Sequence, residues 1–181
     1  MIIMLALVAF ELCSCNRAFL LDSITSGEDT RVNEVSEQIV TALENGDTSL
    51  IKTLFSKKSI ENNNNLEDEI VGFLSFIEGD IVSWEDYLSA SWEHTYYGEK
   101  TVYLEYIISI STDTNKYDVV IQDYWKNDSN PKNAGIHAML VCFSGDESVQ
   151  TDTVFYGLKD ENDTYLSSYP GIIFLDSQNH E

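Results

Sequence analysis

The chain has 181 residues, 43% hydrophobic and 12% aromatic, with 31 acidic against 10 basic side chains for a net charge of −21. That apolar content excludes an intrinsically disordered chain, and the length suits one domain with a proper core. The charge excludes nucleic acid and anionic lipid headgroups as partners of the surface, because both are repelled by it.

The chain opens on an apolar run, Met1 to Phe10, followed by Glu11-Leu12-Cys13-Ser14-Cys15. The run is too short to cross a bilayer as a helix, which takes about 20 residues. It suits the apolar region of a secretory signal peptide. The segment ending at Cys15 resembles the bacterial lipobox, with Leu12 in the aliphatic place, Ser14 in the small place and Cys15 as the lipidated cysteine. The resemblance implies that the Cys15 thiol takes a diacylglycerol and that the chain is cut before it. Residues 1–14 are then a lipoprotein signal peptide, and the protein is expected on the extracytoplasmic face of a bacterial cell membrane. Cys13 beside the small residue and the lack of Lys or Arg before Arg17 depart from the pattern. The alternative is an apolar N-terminal helix packed on the domain. Cys142 is then the remaining protein thiol, which excludes an internal disulfide and zinc sites of paired cysteines. It lies in the apolar run Ala138 to Phe143 and reads as a small hydrophobe.

Residues 15–29 are polar, end in Ser26-Gly27-Glu28-Asp29, and read as a tether; residues 30–181 read as a single domain. Val32, Val35, Ile39, Val40 and Leu43 fall on one helical stripe, with Asp29 or Thr30 as the cap and Gly46 as the stop. Asp47 caps a short second helix with Leu50, Ile51, Leu54 and Phe55 on its apolar face. Residues 56–65, with their run of asparagines, read as a loop. A third helix opens at Asn65 and carries the stripe Leu66, Ile70, Phe73, Leu74 and Ile77, ending at Gly79.

Beyond Gly79 the apolar period changes from that of a helix to that of a strand. Residues 81–97 alternate, with Val82, Trp84, Asp86, Leu88, Ala90, Trp92, His94 and Tyr96 sharing one parity. Gly98-Glu99 reads as a turn. Residues 101–111 form the strongest strand, with Val102, Leu104, Tyr106, Ile108 and Ile110 on one face. After a polar loop, Tyr117, Val119, Ile121, Asp123 and Trp125 share a face of the next strand. A long turn at 127–133 leads to a buried strand over 135–143, and weaker strands are expected near 149–158 and 172–175. The turn spacing predicts an antiparallel meander.

Helices followed by an antiparallel sheet define an α+β domain. The order, three N-terminal helices packed on long strands, resembles the NTF2-like or cystatin-like cone fold, which implies a strongly curved sheet wrapped on the first helix. A narrower resemblance rests on Ala42-Leu43-Glu44-Asn45-Gly46-Asp47, Leu54-Phe55-Ser56, Phe76-Ile77-Glu78-Gly79 and Asn133-Ala134-Gly135-Ile136. These runs look like the DUF5104 lipoproteins of clostridia and their relatives. That resemblance implies a fold and a location, and no activity.

Phosphate loops, HExxH, GxSxG and EF-hand patterns do not occur in the sequence. The acidic tip Asp160-Glu161-Asn162-Asp163 lacks the glycine and distal glutamate of a calcium loop and reads as a solvated turn. No metal or cofactor is expected. His94, among aromatics, and His137, in an apolar strand, read first as packed side chains. Asp123 stands out because a carboxylate on an apolar face must be paired, hydrated or protonated. A strand that frays before Asp123 and leaves it in water is the simpler account. Trp92, His94, Tyr106, Asp123 and Trp125, each a polar handle on an apolar face, are expected to line one pocket. The function expected is a non-catalytic binding domain for a small apolar ligand or an envelope protein. Its alternative is a small NTF2-like isomerase or hydrolase with Asp123 as general base, assisted by His94 or a tyrosine.

Overall fold

The computed structural model describes residues 27–145 and 169–175. Helix α1 covers 27–45, followed by α2 (Thr48–Leu54), α3 (Lys57–Asn62) and α4 (Leu66–Phe76). Strands β1 (Ile81–Tyr96), β2 (Glu99–Thr112), β3 (Lys116–Asn127), β4 (Gly135–Phe143) and β5 (Ile172–Leu175) follow, with a 3₁₀ turn at Pro131–Asn133. Helices then strands make the domain α+β.

In α1 the stripe Val32, Val35, Ile39 and Val40 is buried as its spacing predicts. The helix nevertheless starts earlier than the expected cap: Gly27, Glu28 and Asp29 are helical and do not belong to a tether. The reason is a tertiary contact. The Trp125 indole covers the first turn so closely that a Cβ on Gly27 would lie 3.2 Å from it. At the other end the Asp47 N–H donates to Ala42 O at 2.9 Å, and the Asp47 carboxylate accepts from the Leu50 N–H at 3.0 Å to cap α2.

The expected loop at 56–65 contains α3. It has no apolar stripe to announce it, and it is held by other means. Ser56 Oγ accepts from the Ser59 N–H at 3.0 Å, and Ser59 Oγ donates to His137 O at 3.3 Å. One of the asparagines is structural: Asn63 Nδ2 donates to Pro170 O at 2.8 Å and to Glu69 Oε2 at 2.9 Å. Glu69 also accepts from the Ile172 N–H at 2.9 Å, which ties β5 to α4. On α4, Leu66, Ile70 and Phe73 are buried. The helix ends at Phe76, short of Gly79, and the Glu78 N–H then donates to Tyr117 Oη at 3.1 Å.

The sheet order is β1-β2-β3-β4-β5. The first four strands are antiparallel, but β5 runs parallel to β4, pairing Met139 with Ile172 and Cys142 with Leu175. The sheet is therefore mixed and not an antiparallel meander. A parallel neighbour needs a crossover of a dozen or more residues, and the chain between Phe143 and Ile172 provides that length. The strand expected near 149–158 lies outside the described residues.

The two faces of the sheet are both apolar but unlike. Leu104, Tyr106, Ile108, Ile110, Tyr117, Val119, Ile121, Met139 and Val141 join the helices in one core. On the opposite face Ile107, Val120, Ala138, Leu140 and Cys142 form a second buried cluster. Cys142 is thus a small core residue, as its apolar run suggests.

Candidate functional site

One irregularity in the sheet decides how the candidate polar side chains are divided between its faces. Along β1, Leu88 faces Tyr106 of β2 but Ala90 faces Glu105, so β1 carries one extra residue there. Such a bulge reverses the side-chain parity beyond it. Trp84 and Leu88 pack on the helix side, whereas Ala90, Trp92, His94 and Tyr96 point to the other face. Along β3 the register with β2 is unbroken from Lys116 to Asp123, so Asp123 keeps the parity of Ile121 and lies opposite Leu104 on the helix side.

The five residues expected in one pocket are consequently divided. Tyr106 and Asp123 lie together beneath α1, and Trp125 sits at the rim of that side against Gly27. Trp92 and His94 occupy the opposite face, so the five do not line a single cavity. The parity count failed because a bulge leaves no mark in the apolar alternation of β1. The simpler account of Asp123 also fails: β3 continues to Asn127 and the aspartate is 0% exposed.

On the helix side Asp123 Oδ2 accepts from Arg31 Nε at 2.7 Å. Arg31 occupies the apolar stripe of α1, one turn before Val35. Asp123 Oδ1, Tyr106 Oη and Asp86 Oδ2 are buried and make no hydrogen bond among the described residues. Burial pushes the Asp123 carboxyl above its usual range, and Arg31 pulls it back only in part. Burial works against the Arg31 charge as well, yet the Asp123 charge and hydrogen bond leave that guanidinium above its ordinary value. Burial first, and then the Asp123 charge, hold the Tyr106 phenol well above the usual tyrosine range. A full carboxylate with one point of contact is under-compensated in so dry a place. The cluster pins α1 to the sheet, with Asp123 and Tyr106 closed off from solvent.

The opposite face is accessible near its β1 edge, beside the buried cluster of Ile107, Val120, Ala138, Leu140 and Cys142. Ala90, Trp92, Tyr103 and Tyr124 line a groove of about 370 Å³. Tyr103 and Tyr124 meet edge to face at 5.3 Å. Tyr103 Oη donates to Glu105 Oε2 at 3.2 Å. Burial raises the Glu105 carboxyl above its usual range, partly offset by hydrogen bonds from Tyr103, Gln122 and Ser89. Beyond the groove the rings of Trp92, His94 and Tyr96 run along β1 in near-parallel planes, with centroids 5.6 and 6.2 Å apart. Arg31 carried a sequence signal, a charge in an apolar stripe. Tyr103, Tyr124 and Glu105 carried none, since their meeting depends on the register of three strands.

No group of three or more His, Cys, Asp or Glu is arranged to hold a metal among the described residues. No helix among them is long and apolar enough to cross a membrane. Cys15 and the acidic tip at 160–163 lie outside the described residues.

Helices on one face of a mixed sheet, with a buried ion pair between the layers and an aromatic groove on the far face, define a small α+β domain. The chain matches the family model for a domain of unknown function, DUF5104, over residues 38–150, and it belongs to that family. A comparison with curated proteins finds no match.

Proposed function

We propose that the protein is a bacterial lipoprotein held on the extracytoplasmic face of the membrane through Cys15, and that its domain binds a ligand or an envelope protein without catalysing a reaction. The observation that carries the non-catalytic reading is the fate of Asp123. A general base must reach the proton it removes, and Asp123 is fully enclosed and tied to Arg31. One accessible concavity lies on the other face, lined by Ala90, Trp92, Tyr103 and Tyr124. The absence of a membrane-crossing helix among the described residues is compatible with a lipid anchor. An NTF2-like reading of the fold is supported by α1 lying on the sheet face that bears Tyr106 and Asp123.

The second reading, an isomerase or hydrolase using Asp123, draws on one observation. Asp123 Oδ1 and Tyr106 Oη are buried together without partners, a donor and acceptor of the kind such sites hold. Two experiments test the proposal. In cells fed labelled fatty acid, wild type is labelled and Cys15→Ser is not; equal labelling of both defeats the anchor. Purified wild type and Asp123→Asn are compared on chromogenic esters and isomerisable enones, where no turnover dependent on Asp123 is expected. Turnover by wild type that Asp123→Asn abolishes defeats the non-catalytic reading.

A further inference from the structure

The geometry points to a binding surface for an uncharged glycan along the outer face of the β1–β2 hairpin, built on Trp92, His94, Tyr96 and Tyr97 and continuing into the groove at Tyr103 and Tyr124. The inference deepens the non-catalytic binding reading, on which it rests.

Exposure is the first ground. Trp92 is 57% exposed, Tyr96 62% and Tyr97 92%. Large aromatics gathered at one end of a hairpin, in a chain this acidic and polar elsewhere, mark an interaction surface. Backbone cost is the second. The two-residue turn between Tyr96 and Glu99 has positive φ at both centres, 49° at Tyr97 and 86° at Gly98. Such a turn favours Asn-Gly or Gly-Gly, and a bulky side chain at positive φ is disfavoured. Tyr97 gains almost no burial in return, and its ring meets Tyr96 at 4.4 Å. A strained and exposed tyrosine is the kind of outlier from which a functional role is inferred.

Charge selects the occupant. The nearby bases are paired off, Lys100 with Glu93 at 2.6 Å and Lys126 with Asp128 at 3.5 Å, while Glu99 opposite Tyr96 leaves the surroundings acidic. The remaining charge of the chain is strongly negative, so anionic polymers and a second copy of the chain are both repelled. The strip itself is neutral, long and periodic, with ring after ring at two-residue spacing. A repeating neutral chain with apolar C–H faces and hydroxyl edges matches it. The C–H faces pack on the rings, and the hydroxyls find Trp92 Nε1, the His94 imidazole and the tyrosine hydroxyls.

The test is native affinity electrophoresis of the full-length chain in non-ionic detergent. The gels contain hydroxyethylcellulose or glycol chitin as neutral probes, and polygalacturonate as the anionic control. Retardation is expected with a neutral probe and not with polygalacturonate. Trp92→Ala and Tyr96→Ala, both at exposed positions, should weaken it about tenfold while the melting transition stays in place. The proposal is overturned if neither neutral probe retards wild type, or if both variants are retarded as strongly as wild type. Two further outcomes also overturn it: dimerisation lost in Trp92→Ala with no glycan retention, and salt-sensitive binding to polylysine in place of glycan. Failure of retention leaves the non-catalytic reading intact, since that rests on Asp123. New reducing ends released from a retained glycan by wild type, but not by Asp123→Asn, would support the surface and overturn that reading.

Discussion

At Asp123 the carboxylate has been moved from water to a dry layer and given one hydrogen-bonded cation. Breaking such a pair from one side is costlier than removing it whole, because the survivor stays buried and uncompensated. Arg31→Met is therefore expected to lose about 3–5 kcal/mol in urea unfolding at neutral pH, whereas Arg31→Met with Asp123→Leu should recover most of it. The pH dependence has a definite sign. A carboxyl held above its ordinary range binds protons more tightly folded than unfolded. Its contribution to stability is whole below the ordinary aspartate range and is lost as pH rises through the native value. The deficit of Arg31→Met should shrink toward acid pH, because protonating Asp123 removes the uncompensated buried charge; a deficit that grows there would show that Arg31 does not stabilise the Asp123 anion. Gly135, in the Asn133–Ile136 run that carries the family resemblance, is a second single-residue test. It has φ +120°, and a Cβ there would lie 2.8 Å from Ser56 N and 3.0 Å from Leu54 O. Both are backbone atoms, in the strip where the Ser56 N–H donates to Ile136 O at 2.9 Å. Gly135→Ala should cost more than about 1 kcal/mol, read from the urea midpoint at unchanged slope. Half of the ion pair was legible in the sequence, as Asp123 on an apolar face. Arg31 was not read, although it stands one turn before Val35 in the stripe, and nothing local links it to a residue 92 positions away.

Among the elements, those with long apolar periods were legible and those held by a few hydrogen bonds were not. Helix α4 was read from its stripe, and Phe73 is completely buried between helices and sheet. Phe73→Ala should therefore cost about 3–5 kcal/mol, measured by thermal or urea unfolding; a loss below about 1 kcal/mol would make the helix peripheral. Helix α3 escaped the reading because its stability comes from the Ser56 cap and from Ser59 and Asn63 reaching β4 and the segment before β5. Strand β1 shows a subtler failure. Its extent was read almost to the residue, yet the face presented by its second half was reversed by the bulge at Leu88–Ala90. Aromatic residues satisfied both assignments, since Trp, His and Tyr pack inside or stand exposed with similar ease. The candidate pocket was divided by that single inserted residue, which moved Trp92 and His94 to the outer face while β3 kept Asp123 inside.

At the scale of the whole molecule, the α+β order was legible because period and composition change together after Gly79, while the direction of β5 was not. A four-residue apolar strand pairs either way, and its direction depends on the route of the chain between Phe143 and Ile172. A property of the whole chain that bears on its stability is charge. With 31 acids against 10 bases, most acids have no basic partner available, and folding draws them together. Salt acts on this in two opposed ways. It screens the repulsion among unpaired acids, and it screens the exposed pairs Lys52–Glu67, Lys100–Glu93 and Lys132–Glu61. Exposed pairs contribute little apiece and lose little on screening. The repulsive excess is spread over the whole surface at separations comparable with the Debye length, which falls from about 30 Å at 0.01 M to about 8 Å at 0.15 M salt. Repulsion therefore dominates, and sodium chloride raised over that range should stabilise the fold. Each kcal/mol gained appears as about 2–4 °C in melting temperature for a domain of this size. Sodium chloride and potassium chloride should act alike if screening is the cause, whereas a rise seen with one cation alone would mean specific binding. The buried Arg31–Asp123 pair gives the internal control, because low-dielectric surroundings shield it from salt. The deficit of Arg31→Met should stay constant across the salt series while the melting temperatures of wild type and variant climb in parallel. A fall in wild-type melting temperature with salt would show that the exposed pairs, and not the excess of acids, govern the electrostatic stability of the domain.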